Sequence, residues 1–198
     1  MALTRVLSVA FAISLALAPI SRSDPDDPSM PSRPEITPLP AVTAVSSNWQ
    51  PKYPFPFDKM RGEVTDGDIV AGREMCQWFQ AQYYALTTQV DTLSYFLGGV
   101  NGDYRADGIQ AKADVVTSNI DRAVEFLEPR AQALTQSTDF AGDVYFPMYQ
   151  GENFYRLWQQ LYNVGMGIKS RHSSWDFGPP MRLAEHYGSL INSSHICR

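Results

Sequence analysis

Cysteine, histidine and lysine are scarce in this chain of 198 residues, with two, three and four copies. Two cysteines cannot build a disulfide-dense miniature scaffold. No Cys-x-x-Cys pair offers a dithiol redox centre. The histidines, His172, His186 and His195, all fall in the last 27 residues, with none at i, i+4 spacing and no His-Glu-x-x-His. That arrangement lacks the signature of a zinc hydrolase. There is no phosphate-cradling glycine loop and no Gly-x-Ser-x-Gly elbow, so nucleotide hydrolysis and serine-type acyl transfer find no support. Basic residues form no stripe. Sixteen Lys and Arg against 21 Asp and Glu leave a net charge of −5, which supplies no electrostatic pull toward nucleic acid. Apolar content of 44% with 12% aromatics excludes a wholly disordered chain.

Long apolar runs are also missing, with one exception. Residues 6–20, VLSVAFAISLALAPI, follow the single charge of Arg5. Fifteen residues suit the apolar stretch of a secretory leader and fall short of the about 20 that a membrane span needs. Ser21 and Ser23 place small residues at −3 and −1 for cleavage before Asp24. The expectation is a signal peptide over 1–23, with no transmembrane anchor left after cleavage. Loss of Arg5 and Arg22 leaves a mature product of net charge −7. The mature start, Asp24-Pro25-Asp26-Asp27-Pro28, resembles the acidic, proline-bearing starts of exported actinobacterial proteins, mycobacterial ones in particular. Arginine outnumbers lysine twelve to four, which fits a GC-rich genome. The resemblance covers the leader and about ten residues. It implies export to the periplasm, cell envelope or medium, and says nothing of activity.

Nine of the fourteen prolines lie in residues 24–58. Their spacing forbids helix and ladder pairing, so 24–64 reads as an extended, largely disordered tether. Its end, Trp49 to Phe57, sets four aromatics among three prolines and reads as a strap across the body. The helical domain spans 65–198. Thr65-Asp66-Gly67-Asp68 resembles a capping box. From there Ile69, Gly72, Cys76, Phe79, Tyr83, Leu86, Val90, Leu93 and Leu97 alternate steps of three and four, the inward stripe of a bundled helix that Gly98-Gly99 ends. Ile109, Ala113, Val116, Ile120, Ala123, Leu127, Ala131 and Leu134 repeat the spacing, interrupted by Pro129 as a kink or a new start. Residues 139–151 break the pattern and read as a packed loop or short extended segment. A third helix over about 152–172 turns Phe154, Leu157, Trp158, Leu161, Val164 and Ile168 inward. Gly178-Pro179-Pro180 opens a fourth, carrying Leu183, Tyr187, Leu190 and Ile191. The predicted fold is therefore all-α, a four-helix bundle-like domain behind a proline-rich N-terminal segment.

In an exported chain the two cysteines are expected to pair, Cys76 with Cys197. The segment 101–108 contains a fragment of a calcium loop, but Arg105 stands where an oxygen ligand is needed. Its acids are expected instead in a helix–helix turn, and no metal or other cofactor is called for. Aromatics exceed what a small bundle requires: tyrosine and tryptophan suit both apolar pockets and protein interfaces. These features predict a non-enzymatic secreted or cell-envelope binding or accessory protein, with no catalytic residues assigned. An aromatic groove of Tyr83, Tyr145, Phe146, Tyr149, Phe154 and Trp158 beneath the 140–150 loop would engage an apolar ligand or an envelope partner. One alternative is an exported helical enzyme with a polar cavity of the chorismate mutase kind, built from Arg73, Arg122, Glu125 and Arg156. Another is a haem or metal carrier, with His186 as the best single ligand.

Overall fold

The computed structural model describes residues 33–137, 144–171 and 174–198, with side chains omitted at 174–176. The leader, the cleavage point near Ser23, the mature start, residues 139–143 and His172 lie outside the described residues. The fold is all-α. Helices run over Asp66–Trp78 (α1), Tyr84–Gly99 (α2), Ile109–Ala133 (α3), Gly151–Lys169 (α4) and Ser174–Ser194 (α5). A 3₁₀ helix spans Phe57–Glu63, and the two-residue strands Gln136–Ser137 (β1) and Val144–Tyr145 (β2) pair antiparallel. Among the described residues there are five α-helices where four were expected, because a π turn over Phe79–Tyr83 separates α1 from α2 while the backbone stays helical through it. The helices pack as a ring: α2 against α3 and α5, α3 against α4, and α4 against α5.

The start of α1 is the capping box read from the sequence. Thr65 Oγ1 accepts from Asp68 N at 3.2 Å, and Asp68 Oδ2 accepts from Thr65 N at 2.7 Å. Two first-turn donors are thereby satisfied, an arrangement whose loss costs about 0.5–2 kcal/mol. Along α1 and α2 the expected stripe is buried from Gly72 to Leu97, and every member of the α3 stripe is buried. The α3 helix continues through Pro129. On α5 the expected face is displaced. Ile191 is buried and Tyr187 half-buried as expected, but Leu183 and Leu190 are exposed, and Phe177, Met181 and Ala184 are buried in their place. The helix starts at Ser174, before Gly178-Pro179-Pro180, and turns its small residues toward the π turn, where Gly188 abuts the Tyr83 ring.

Residues 33–48 depart from the expected tether. They are extended, as their prolines require, yet they lie pinned along α1, α2 and α3 by side-chain amides. Gln77 exchanges two hydrogen bonds with the Val45 backbone, 3.0 and 2.8 Å. Gln82 donates to Pro40 O, and Gln89 donates to Thr37 O at 2.9 Å. Asn119 accepts from Leu39 N at 3.0 Å and donates to Thr37 O at 2.9 Å. Proline prevents this strap, which begins at residue 33, from satisfying its own backbone, and the buried amides of Gln82, Gln89 and Asn119, with half-buried Gln77, do so in its place. Farther on, Trp49 packs over Gly72, where a Cβ would come within 3.1 Å of the Trp49 ring and 2.7 Å of Met148 Sδ.

Cys76 and Cys197 stand at disulfide-bonding distance, with Cα atoms 5.0 Å apart across 121 positions. Residues 195–197 are also gripped from the strap and the π turn. Trp49 Nε1 donates to Ile196 O at 3.0 Å, Lys52 Nζ donates to His195 O at 2.8 Å, and Gln80 donates to Cys197 O.

Candidate functional site

The six aromatics expected in one groove occupy three different settings. Tyr83 is 5% exposed and stacks on Phe79 with centroids 4.5 Å apart. Its hydroxyl faces the Ala184 and Glu185 carbonyls of α5 at 3.5 Å. Burial first, then the Glu185 carboxylate, holds that hydroxyl far above the ordinary tyrosine range. Phe154 is 1% exposed and belongs to the core. Tyr149 lies half-buried against Phe57, centroids 4.9 Å apart. Tyr145 sits on β2, its hydroxyl raised by desolvation and by the Glu63 carboxylate. Only Phe146 and Trp158 share a cluster, and they share it through Tyr155: Phe146 to Tyr155 is 5.4 Å and Tyr155 to Trp158 is 5.3 Å between centroids.

That cluster continues outward along α4. Trp158 was expected on the inward face, and it stands half-buried at the edge of it. One turn on, Tyr162 is 49% exposed, and Met166 a further turn on is 44% exposed. Residues 155, 158, 162 and 166 follow steps of three, four and four, so they share one helix face. Beside them opens a cleft of about 420 Å³ lined by Glu128, Trp158, Gln159, Tyr162 and Asn163. The Trp158 indole N–H is buried and has no hydrogen-bond partner. Tyr155, Tyr162 and Met166 lie off the buried stripe and outside the groove expected from the sequence. The signal was a second, polar-tipped aromatic stripe on the same helix.

Arg73, Arg122, Glu125 and Arg156 do not converge. Arg73 reaches Ser47 O at 3.3 Å beneath the strap. Arg156 pairs on α4 with Gln159 at 3.0 Å and Glu152 at 3.6 Å. Of the four, only Arg122 and Glu125 line the same open cleft, between the strap and α3. His186 is exposed and lies edge-on to Tyr187, and His195 is exposed with a positive φ of 55°. Among the described residues no group of three His, Cys, Asp or Glu is placed to hold a metal ion. In the calcium-like fragment Asp103 accepts from Arg105 N at 2.9 Å, and Asp114 pairs with Arg171 at 2.7 Å. The first bond lies in the expected turn between helices, and the second ties α3 to the residues just past α4.

No family model, no curated protein and no solved structure matches the chain.

Proposed function

We propose that this chain is a non-enzymatic binding or accessory protein, exported to the cell envelope or beyond, that engages a partner protein through the outward aromatic face of α4. The observation that carries the reading is the buried, unpartnered indole N–H of Trp158 beside the exposed Tyr162 and Met166. A large apolar row with an unused donor at its edge is matched by a surface that brings an apolar patch and an acceptor. The cleft is open along one side, so a small apolar ligand would stay partly wet there. A protein partner covers the whole row. Export rests on the sequence of the leader, and the cysteine pair fits an oxidising compartment. Among the described residues no helix is long and apolar enough to cross a membrane.

The test places a photo-reactive phenylalanine at Tyr162, and separately at the exposed Leu183 of α5, in cells exporting the protein. The Tyr162 position is expected to give a discrete adduct with one envelope protein, lost when Trp158→Ala is added. The Leu183 position is expected to give none. Equal labelling from both positions, or no adduct from Tyr162, would remove the proposal.

A further inference from the structure

A second cleft, built from different residues, has a more defined chemistry. It is about 350 Å³ and lies between Pro40, Ala41 and Val42 of the strap and Arg122, Glu125 and Phe126 of α3, with Trp78 beneath. That volume is at the small end of ligand sites, which run roughly 300–1,000 Å³.

Three observations define what it would hold. Trp78 is 1% exposed and its indole N–H has no partner. Buried donors are almost always paired, so one left free beside a cleft calls for an acceptor. Second, Arg122 and Glu125 stand one turn apart on α3, yet no ion pair joins them. Neither pairs with any other charged side chain among the described residues. Elsewhere on the surface opposite charges do meet, as in Arg130–Glu74 and Lys169–Asp121. Arg122 uses one donor on Asn119 Oδ1 at 2.5 Å, which fixes the arm and leaves the rest of the guanidinium free. Third, the walls are held before any ligand arrives. Asn119 accepts from Leu39 N, Gln82 holds Pro40 O, and Arg130 caps the Phe126 ring at 3.6 Å. Preorganised walls reduce the ordering cost of binding.

We propose that this cleft binds a small zwitterion with an apolar side group, of the α-amino acid class. Its carboxylate is taken by Arg122 and the Trp78 N–H, its ammonium by Glu125, and its side group by Pro40, Val42 and Phe126. A positive and a negative side chain adjacent on one helix match the short separation of charges in such a molecule. The apolar strap wall selects against polar side groups.

The experiment uses the mature chain labelled with ¹⁵N, titrated with L-leucine, with isoamylamine (no carboxylate) and with 4-methylpentanoate (no ammonium). Leucine is expected to shift the Trp78 indole and the Ala41 and Val42 amides saturably. Each truncated probe is expected to bind at least about tenfold more weakly. Arg122→Gln should make leucine and isoamylamine equivalent, and Glu125→Gln should do the same for leucine and 4-methylpentanoate. Trp78→Phe keeps the ring, removes the donor and should weaken leucine. The two α3 variants are at exposed positions, so they report even if Trp78→Phe unfolds. No saturable shift by about 10 mM leucine, or a response indifferent to both charge deletions, overturns the proposal.

Discussion

Tyr83 shows how a single missing side chain decides a role. Its polar-tipped ring marked it as a candidate contact, and in the folded chain it fills the seam between the π turn and α5. The space exists because position 188 is glycine: a Cβ there would overlap the Tyr83 hydroxyl and ring. The ring cannot retreat, since it is buried and stacked on Phe79. Gly188→Ala is therefore expected to destabilise the fold by about 1–3 kcal/mol, the usual cost of overpacking, despite the better helix propensity of alanine. Urea unfolding checks it, and an unchanged or raised midpoint would contradict the packing described. The capping box at Thr65 and Asp68 was legible because both partners lie within one turn. The Tyr83–Gly188 contact was not, because a hundred residues separate its members.

The elements of greatest consequence are the strap and the clasp at residues 195–197. Neither has enough internal hydrogen bonding to hold itself. The strap borrows amides from Gln77, Gln82, Gln89 and Asn119, and the clasp borrows Trp49, Lys52 and Gln80. Because Trp49 and Lys52 belong to the strap, the Cys76–Cys197 link ties strap, clasp and α1 together. Replacing both cysteines by serine is expected to cost about 2–5 kcal/mol, since the loop it closes spans 121 positions. The Trp49 indole N–H should lose protection from exchange before the α3 amides do. Denaturation with and without reductant measures the first, and hydrogen exchange the second. A cost below about 1 kcal/mol, or simultaneous loss of protection, would mean the link is dispensable to the clasp. Proline spacing showed that the strap must be extended, but where an extended chain lies is set by partners on other elements.

At the scale of the whole molecule, a pair of acids makes stability depend on pH. Asp91 of α2 and Glu185 of α5 both have raised pKa values. For Asp91 desolvation outweighs the opposing Arg33. For Glu185 desolvation is joined by repulsion from Asp91, against Arg182. A carboxyl whose folded pKa is raised binds its proton more tightly in the native state. The native state is therefore favoured at acid pH, and that advantage is lost as pH climbs from the ordinary carboxylate range through the raised values. The variant Asp91→Asn with Glu185→Gln is expected to be more stable than the parent at neutral pH, with the difference vanishing on acidification. Thermal midpoints from pH 3 to pH 8 give the comparison, and a variant less stable at pH 7 would reverse the sign argued here.

By itself the sequence determined the helical class, the course of α1 to α3 and the pairing of the cysteines. These depend on local spacing, on caps, and on there being two thiols and no more. It also showed that the chain carries more rings than a small bundle consumes. Tertiary structure decided which rings are spent. Phe154 and Tyr83 are enclosed by other helices, whereas Trp158 stands half-buried at the rim of a cleft and Tyr162 and Met166 are exposed. It decided the face of α5 too: Ala184 and Gly188 let the helix close on the Tyr83 ring of the π turn, which leaves Leu183 and Leu190 on the outer side. Periodicity fixes which residues share a side of a helix, and only the neighbours that fold against that side determine whether it is interior or surface.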